Sequence, residues 1–234
     1  MSLVDLIKPH IRNLAPYQPG KPMEELEREL GIRSSIKLAS NENPLGPSPK
    51  AVEAIRDAVG EIHRYPDGAS FSLRVTLSKR LGVAENQLVF GCGGDEILEL
   101  VAKTLIGAGD EVVYAWPSFA MYPIVVQGAG AKAIQVPLTS DFVHDLDAML
   151  AAVTDKTRYV MVCNPNNPTG TAHSASAVEG FVRRVMRDSP STKILIDEAY
   201  IDYTFDPDVK TASLLTQEFP SVFITRSFSK AHGM

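Results

Sequence analysis

The feature that most constrains the fold is an alternation of short apolar runs with amphipathic segments, which begins near residue 87 and continues to the end of the chain. Several of the apolar runs have no polar position in alternation, as expected for strands that are buried on both faces of a sheet. The candidate strands span residues 87–90, 111–115, 132–136, 157–163, 193–197 and 221–225. Helices are predicted between them at 95–106, 119–127, 145–152, 174–187 and 212–217. This order predicts an α/β fold, a mainly parallel sheet with helices on both faces.

The residues ahead of this region predict a different organisation. Residues 1–45 are expected to form a proline-rich arm that contains a short helix from Pro22 to a stop at Gly31 and a brief strand at 36–39. Two further helices are predicted at 48–60, with Ser48 as its cap, and at 70–81. Residues 46–234 are therefore expected to form one large domain.

The composition excludes several classes of function. The net charge of -5 is spread without a basic block, so binding to nucleic acid or to an anionic membrane surface is not expected. No apolar run reaches the length of a membrane span and no signal peptide pattern begins the sequence, which predicts a cytoplasmic protein. Cys92 and Cys163 are far apart, so we expect two reduced, buried thiols and no metal site.

The loops after the strands are where a ligand is expected, because parallel sheets bind ligands beyond the carboxyl ends of their strands. After the first strand, the glycine-rich segment at Gly94 and Asp95 opens a helix and can bind an anion, although, taken alone, a tight turn with Asp95 as partner of the helix dipole is the simpler explanation. After the second, Phe119 offers a ring that can stack on a flat ligand or pack in the core.

Two later loops add polar groups to the same edge of the predicted sheet. Residues 164–170 are denser in Asn and Pro than a simple connection requires, and Asn167 can donate a hydrogen bond from a fixed position. Asp197 follows an apolar strand, where a carboxylate is costly to bury unless it has a cation or a proton donor as partner. Tyr200 adds a hydroxyl, and helix capping is the alternative explanation for Asp197.

The last strand leads into the segment Arg226-Ser227-Phe228-Ser229-Lys230. A lysine in this position, between hydroxyl groups, could hold a cofactor aldehyde covalently while the hydroxyls bind the cofactor phosphate. A lysine by itself is ordinarily a solvated surface charge. The polar loops at the same sheet edge supply the partners that a covalent site requires.

Six segments, taken in order, carry a resemblance to a known family. They are Asn41-Glu42-Asn43-Pro44, Arg64-Tyr65-Pro66-Asp67, Gly93-Gly94-Asp95-Glu96, residues 164–170, Asp197-Glu198-Ala199-Tyr200 and Ser227-Phe228-Ser229-Lys230. With them the chain resembles the fold-type I aminotransferases that depend on pyridoxal phosphate, and within these the histidinol-phosphate aminotransferase branch. The segments span most of the chain in the order that this family has.

The resemblance implies a catalytic role for several residues. Lys230 would form a Schiff base with the cofactor aldehyde and then move a proton between the substrate Cα and the cofactor. Asp197 would pair with the pyridine nitrogen and keep it protonated. Asn167 and Tyr200 would hydrogen-bond the ring oxygen, and Phe119 would stack on the ring.

The resemblance also implies contacts around the cofactor. The groups that would hold its phosphate are the amides of Gly94 and Asp95 and the hydroxyls of Ser227 and Ser229. Tyr65 would reach the phosphate of the neighbouring subunit, which implies a homodimer with shared active sites. Tyr17 and Asn43 would face the substrate.

The end of the sequence departs from the family pattern. In this family the lysine is followed by a glycine-leucine-arginine segment and, later, by a small C-terminal domain, and neither is present before Met234. The chain is therefore expected to be an incomplete large domain without the small domain, and to show weak or no transamination alone.

The activity implied is transfer of an amino group between an amino donor, histidinol phosphate, and a 2-oxo acid, 2-oxoglutarate. Aromatic amino acid aminotransferases and phosphate-ester decarboxylases of the same fold share most of these loops and remain alternatives. A non-catalytic module that binds the cofactor, or a nucleotide-binding protein with a similar glycine loop, are alternatives from other classes.

Overall fold

One sheet of five parallel strands forms the centre of the computed structural model, which describes residues 3–234. The strands are β1 (Glu111–Trp116), β2 (Lys132–Pro137), β3 (Thr157–Cys163), β4 (Lys193–Asp197) and β5 (Val222–Thr225). Their spatial order is β2-β1-β3-β4-β5, and each neighbouring pair is parallel. The prediction of an α/β fold with a mainly parallel sheet is confirmed.

The helices follow the predicted pattern with small differences at their ends, except that the one-turn helix at Pro9–Arg12 was not predicted. They are α1 (Pro9–Arg12), α2 (Met23–Leu30), α3 (Pro49–Ala58), α4 (Phe71–Leu81), α5 (Gly93–Leu105), α6 (Met121–Gly128), α7 (Leu146–Ala151), α8 (Ala175–Asp188) and α9 (Leu215–Glu218). Short 3-10 helices span Leu3–Leu6, Val59–Glu61, Glu85–Gln87 and Ile201–Tyr203. Met1 and Ser2 of the predicted arm lie outside the described residues.

Each face of the sheet has its own apolar core, because successive residues of a strand point to opposite faces. Val113 and Ile194 belong to the core that is covered by α7, α8 and α9. Val112 and Leu195 belong to the core that is covered by α5 and α6. Burial on both faces explains why these strands read as continuous apolar runs.

Three strand ends lie side by side at the carboxyl edge of the sheet. Cys163 of β3, Asp197 of β4 and Thr225 of β5 are neighbours in the register. The strand β1 runs in the same direction beside β3 and ends at Trp116. The loops that leave these strands therefore converge on one edge.

Local signals set two of the helix boundaries as predicted. The side chain of Ser48 accepts a hydrogen bond from the backbone N–H of Ala51 at 3.2 Å and caps α3. Gly31 ends α2 with a φ of 65°, a left-handed conformation that glycine adopts without a steric penalty. Pro22 precedes α2 as its N-cap residue, one position earlier than predicted.

Two predicted strands do not form, and these predictions were wrong. At 87–90 the backbone of Leu88 is extended, but no described strand pairs with it, and the Arg74 guanidinium donates to its carbonyl instead. At 36–39 Leu38 is 93% exposed and lies outside both cores. An apolar run becomes a strand only where a neighbouring strand can complete its backbone hydrogen bonds.

Both cysteines are free thiols. Cys163 is buried as expected, but Cys92 is exposed, because it directly precedes α5 at the carboxyl edge of the sheet. Among the described residues no group of three or more His, Cys, Asp and Glu side chains could hold a metal ion. None of the described helices is both long and apolar enough to cross a membrane.

The N-terminal arm lies against α6. The side chain of Gln127 donates to the carbonyl of His10 at 3.0 Å, and α1 packs on the same helix. This contact carries the chain toward the carboxyl edge of the sheet, where Tyr17 lies. The division of the chain into 1–45 and 46–234 stays a prediction.

His144 is a buried titratable group between β2 and α7, and it is 3% exposed. Neither of its ring nitrogens has a well-aligned hydrogen-bond partner among the described residues, although the nearby Asn166 side chain opposes the fall in its pKa. The ring of His173 lies edge to face with it at a centroid distance of 6.3 Å. Burial lowers the pKa of His144 to about 4, because an imidazolium in this position would lose its hydration.

The lowered pKa of His144 predicts a specific acid sensitivity. Between about pH 6.5 and pH 4 the unfolded chain binds a proton at this residue that the folded chain does not, so stability falls as the pH falls. From pH 7 to pH 5 this loss is about 2 kcal/mol. We expect His144→Phe to remove that part of the pH dependence in urea unfolding measured at the two pH values.

The exposed residue His63 provides the matched control. The variant His63→Phe should keep the pH dependence of the parent chain. An equal pH dependence in His144→Phe and the parent would contradict the prediction.

Candidate active site

A cavity of about 630 Å³ opens at the carboxyl edge of the sheet. Its walls come from the loops after β1, β3, β4 and β5, from the first turn of α5 and from two N-terminal segments. The predicted site residues in these walls are Tyr17, Gly94, Asp95, Phe119, Asn167, Asp197, Tyr200, Ser227, Ser229 and Lys230. The structure therefore brings together all of the residues predicted from the sequence except Asn43 and Tyr65.

Asp197 ends β4 and is 6% exposed. Its Oδ2 accepts a hydrogen bond from the hydroxyl of Tyr122 at 2.8 Å, and its Oδ1 accepts one from the backbone N–H of Ala199 at 3.1 Å. Burial raises the pKa of the Asp197 carboxyl, and the Tyr122 donor opposes this rise. Both of these partners are neutral, so within the described residues the cavity contains a buried carboxylate that has no cation.

The first turn of α5 forms another part of the wall. The amides of Gly94 and Asp95 lie in this turn, and such amides have no acceptor within their own helix. The positive end of the helix dipole adds to their attraction for an anion. Ser227 and Ser229 line the same cavity, and the Ser227 hydroxyl donates to the Ser229 hydroxyl at 2.8 Å. These groups can hold a phosphate.

Lys230 is half-buried on the segment after β5. Its Nζ lies 5.8 Å from the ring centroid of Tyr200 and donates to the carbonyl of Ser40 at 3.3 Å. The hydroxyl of Tyr200 accepts from the Nδ2 of Asn41 at 2.9 Å. Burial raises the pKa of the Asp95 carboxyl, and the positive charge of Lys230 opposes this rise. The amine and the phenol thus share one wall, which an N-terminal loop supports.

Phe119 and Asn167 face the cavity from the loops after β1 and β3. Phe119 packs edge to face on Tyr122 with the ring centroids 5.8 Å apart. This contact leaves an aromatic ring and a side-chain amide in the wall beside Asp197. A flat ligand could stack on the first and accept a hydrogen bond from the second.

Asn43 and Tyr65 do not line the cavity. The Nδ2 of Asn43 donates to the carbonyl of Ala231 at 2.9 Å, and its Oδ1 accepts from the N–H of Leu45 at 3.0 Å. Asn43 thus holds the backbone next to the lysine, and Asn41 lines the wall in its place. Tyr65 is fully exposed. The predicted roles of Asn43 and Tyr65 stay predictions.

Three residues of the site were not found from the sequence. Tyr122 binds the Asp197 carboxylate, and its position three residues after Phe119 is the signal that could have identified it. Asn41 lies in a segment that the resemblance included, but only the fold shows which of its amides bonds a phenol. Arg226 lines the cavity next to the serines, and its place directly after β5 is the signal that could have identified it.

The groups in this cavity define the kind of ligand that it fits. They are an anion site at a helix N-terminus, a buried carboxylate without a cation among the described residues, a primary amine and an aromatic ring face. A flat heteroaromatic ring with a phosphate, a basic ring nitrogen and a carbonyl group would satisfy all of them.

Known proteins are similar to this chain in sequence. A family model for aminotransferase class I and II matches residues 33–234. Histidinol-phosphate aminotransferase 2 of Nitrosospira multiformis is 47% identical over 237 residues, which cover 100% of this chain and 59% of the relative. Histidinol-phosphate aminotransferase of Moorella thermoacetica is 48% identical over 225 residues, which cover 96% of this chain and 57% of the relative.

The same likeness holds in three dimensions. The crystal structure of histidinol-phosphate aminotransferase from Sinorhizobium meliloti in complex with pyridoxal-5'-phosphate matches with a TM-score of 0.86 at 29% identity, covering 97% of this chain and 60% of that one. The chain spans about three fifths of the length of these proteins. Because the family model covers most of the sequence and nearly all of the cavity wall, the chain belongs to the class I and II aminotransferases.

Proposed function

We propose that this chain carries the cofactor-binding part of an aminotransferase that depends on pyridoxal phosphate and moves an amino group between histidinol phosphate and 2-oxoglutarate. The observation that carries the proposal is the presence in one cavity of Asp197, a buried carboxylate without a cation among the described residues, and of the half-buried amine of Lys230. A protonated pyridine nitrogen is a cation of the kind that Asp197 lacks. An aldehyde is a group that a cavity amine can bind covalently.

The residues present fit pyridoxal phosphate. The amides of Gly94 and Asp95 and the hydroxyls of Ser227 and Ser229 supply donors for the phosphate. The buried hydroxyl of Thr225 lines the cavity next to Asp197 and opposes the rise in the pKa of that carboxyl. A hydroxyl in this position can also donate to a polar ligand in the cavity.

When bound, the cofactor supplies an aldehyde for exchange of amines and a conjugated ring that takes up electrons from the substrate Cα–H bond. Asp197 would hold a proton on the ring nitrogen and so keep the ring electron-poor. The Nζ of Lys230 would bind the aldehyde carbon, give way to the substrate amine, and then move the proton at the substrate Cα. Asn167 and Tyr200 would donate to the ring oxygen, and Phe119 would cover one ring face.

The amino donor is proposed from the relatives. Those at 47% and 48% identity are histidinol-phosphate aminotransferases, which supports this donor over the alternatives of the same fold. Tyr17 lies in the wall of the cavity, where it would face the substrate. Asn43 would contribute to the substrate side of the site by holding the backbone of Ala231 next to Lys230.

We also propose a homodimer in which Tyr65 reaches the active site of the neighbouring subunit. The support is the full exposure of this large aromatic side chain, which lies outside the cavity of its own chain. A cytoplasmic location is part of the same proposal, since both cysteines are free thiols.

Donor assays test the proposed reaction. With the cofactor-loaded chain and no 2-oxo acid present, we expect histidinol phosphate to change the cofactor absorption at least about tenfold faster than phenylalanine or aspartate, because a site that binds polar groups of its substrate rejects donors without them. Equal rates with all three donors would overturn the choice of donor. Release of carbon dioxide from a phosphate-ester amino acid would favour the decarboxylase alternative.

The covalent role of Lys230 gives a second prediction. The variant Lys230→Ala should still bind pyridoxal phosphate noncovalently through the anion site, but borohydride reduction should leave no cofactor attached, as measured by mass spectrometry. Lys193→Ala is the matched control, because Lys193 bonds to Ser221 at the opposite edge of the sheet. Attachment that persists in Lys230→Ala would contradict the assignment.

The role of Asp197 gives a third prediction. In Asp197→Asn the neutral amide cannot hold the ring proton, so the rate of the amine-dependent absorption change should fall by two to three orders of magnitude, roughly the loss seen when a preorganised electrostatic partner is removed. Glu198→Gln is the control, since the adjacent Glu198 is also buried but bonds to Thr211 and Ala212 outside the cavity. A mild effect at Asp197 would show that another group protonates the ring.

A further inference from the structure

We propose that Asn166 is a positioning residue that couples the loop after β1 to the loop after β3 and so sets the spacing between Phe119 and Asn167. The inference rests on the proposed function, in which these two residues hold the face and the ring oxygen of one flat cofactor. Asn166 itself does not line the cavity. It would act through its two neighbours.

The side chain of Asn166 bonds to both loops. Its Oδ1 accepts a hydrogen bond from the Ser118 hydroxyl at 2.7 Å, and its Nδ2 donates to the Pro117 carbonyl at 3.3 Å. These two partners immediately precede Phe119 in the loop after β1. The Nδ2 also donates to the Thr169 hydroxyl at 2.8 Å, within the loop after β3. One amide group therefore joins segments that are 48 to 49 residues apart in sequence.

Backbone bonds fix Asn166 within its own loop. Its N–H donates to the carbonyl of Thr171 at 2.8 Å, and its carbonyl accepts from the N–H of Gly170 at 2.8 Å. The residue is 3% exposed, and Ser118 is 6% exposed. Water is therefore largely excluded from the bridge, and each bond that is lost leaves a buried polar group without a partner. These bonds hold Asn166 in place within the loop after β3.

The consequence for the cavity follows from chain connectivity. Phe119 follows Ser118 directly, and Asn167 follows Asn166 directly, so each cavity residue is one peptide unit from the bridge. Strand pairing ends at Trp116 in β1 and at Cys163 in β3, so it does not fix the relative position of the two loops that follow. The Asn166 bridge fixes that position next to the residues that would contact the ligand.

Asn164 provides a matched control within the same loop. It is also 3% exposed, and its side chain forms two hydrogen bonds. Its Oδ1 accepts from the N–H of His173 at 2.7 Å and its Nδ2 donates to the carbonyl of the same residue at 3.2 Å. The side chain of Asn164 thus closes its own loop, whereas that of Asn166 crosses to the neighbouring one.

The experiment compares Asn166→Ala, Ser118→Ala and Asn164→Ala with the parent chain. Trp116, the one tryptophan of the sequence, ends β1 next to Pro117, so its fluorescence reports on the loop after β1 without any cofactor. We expect Asn166→Ala to change the Trp116 emission and to weaken pyridoxal phosphate binding by about 10- to 100-fold. The pH midpoint of the absorption of the bound cofactor should move by about 0.5 unit or more, since its ring-oxygen donor is displaced.

The other two variants set the comparison. Ser118→Ala removes one bond of the bridge and should shift the Trp116 emission in the same direction by less, which keeps the test valid if Asn166→Ala does not fold. Because Ser118 also lines the cavity, this emission, and not cofactor binding, is the readout for that variant. Asn164→Ala should lower the unfolding midpoint but leave the Trp116 emission and the absorption midpoint unchanged.

The results separate the two proposals. If Asn166→Ala and Asn164→Ala lose stability alike while the Trp116 emission and the absorption midpoint stay at the parent values, Asn166 has only a structural role and the inference is overturned. If the parent chain fails to bind pyridoxal phosphate, the proposed function fails, and the Trp116 emission alone decides whether the bridge couples the loops. An unchanged emission in Asn166→Ala then overturns the coupling as well.

Discussion

The alignment of the carboxyl ends of β3, β4 and β5 is the constraint on which the rest of the structure depends. It places Cys163, Asp197 and Thr225 side by side, so that loops from distant parts of the sequence start from one line. Parallel pairing makes this arrangement possible, because every strand then ends at the same edge. The apolar cores on both faces hold the strands in this register. The cavity is a consequence of the sheet, and one core residue, Tyr122, donates directly to the Asp197 carboxylate that faces the cavity.

The same geometry places two adjacent carboxylates in different surroundings. Asp197 and Glu198 are both buried, and burial raises the pKa of each. The Glu198 carboxylate is satisfied by the Thr211 hydroxyl and the Ala212 N–H, so it fixes the connection toward α9. Asp197 opens to the cavity instead. A single step along the backbone at the end of β4 thus separates a group that stabilises the fold from one that remains available to a ligand.

Much of this arrangement could be predicted from the sequence, because it depends on local patterns. The apolar runs of β1 to β5 and the cap at Ser48 are signals that each segment carries by itself. The predicted strands at 87–90 and 36–39 failed because pairing needs a partner that an apolar run does not specify.

In the site, too, the sequence predicted what local patterns specify and missed contacts between distant residues. Lys230, Asp197 and Asn167 were found from their places after strands, and all three line one cavity. The bonds of Tyr122 to Asp197 and of Asn41 to Tyr200 could not be found in this way. They join residues that are 75 and 159 positions apart, and no local pattern encodes such distances. Sequence reasoning thus identified residues that line the cavity better than the residues that hold them in place.

The contacts of the N-terminal loop with the lysine segment have a consequence for the order of assembly. Asn41 bonds to Tyr200, Asn43 to Ala231 and Lys230 to Ser40, across 159, 188 and 190 residues of chain. Closing such long loops is entropically costly, whereas the strands of the sheet meet over much shorter separations. This loop is synthesised early and its partners late, so its contacts with Tyr200, Ala231 and Lys230 can form only after those residues have been made. We therefore expect the wall that supports the amine to form later in folding than the sheet edge that carries Asp197.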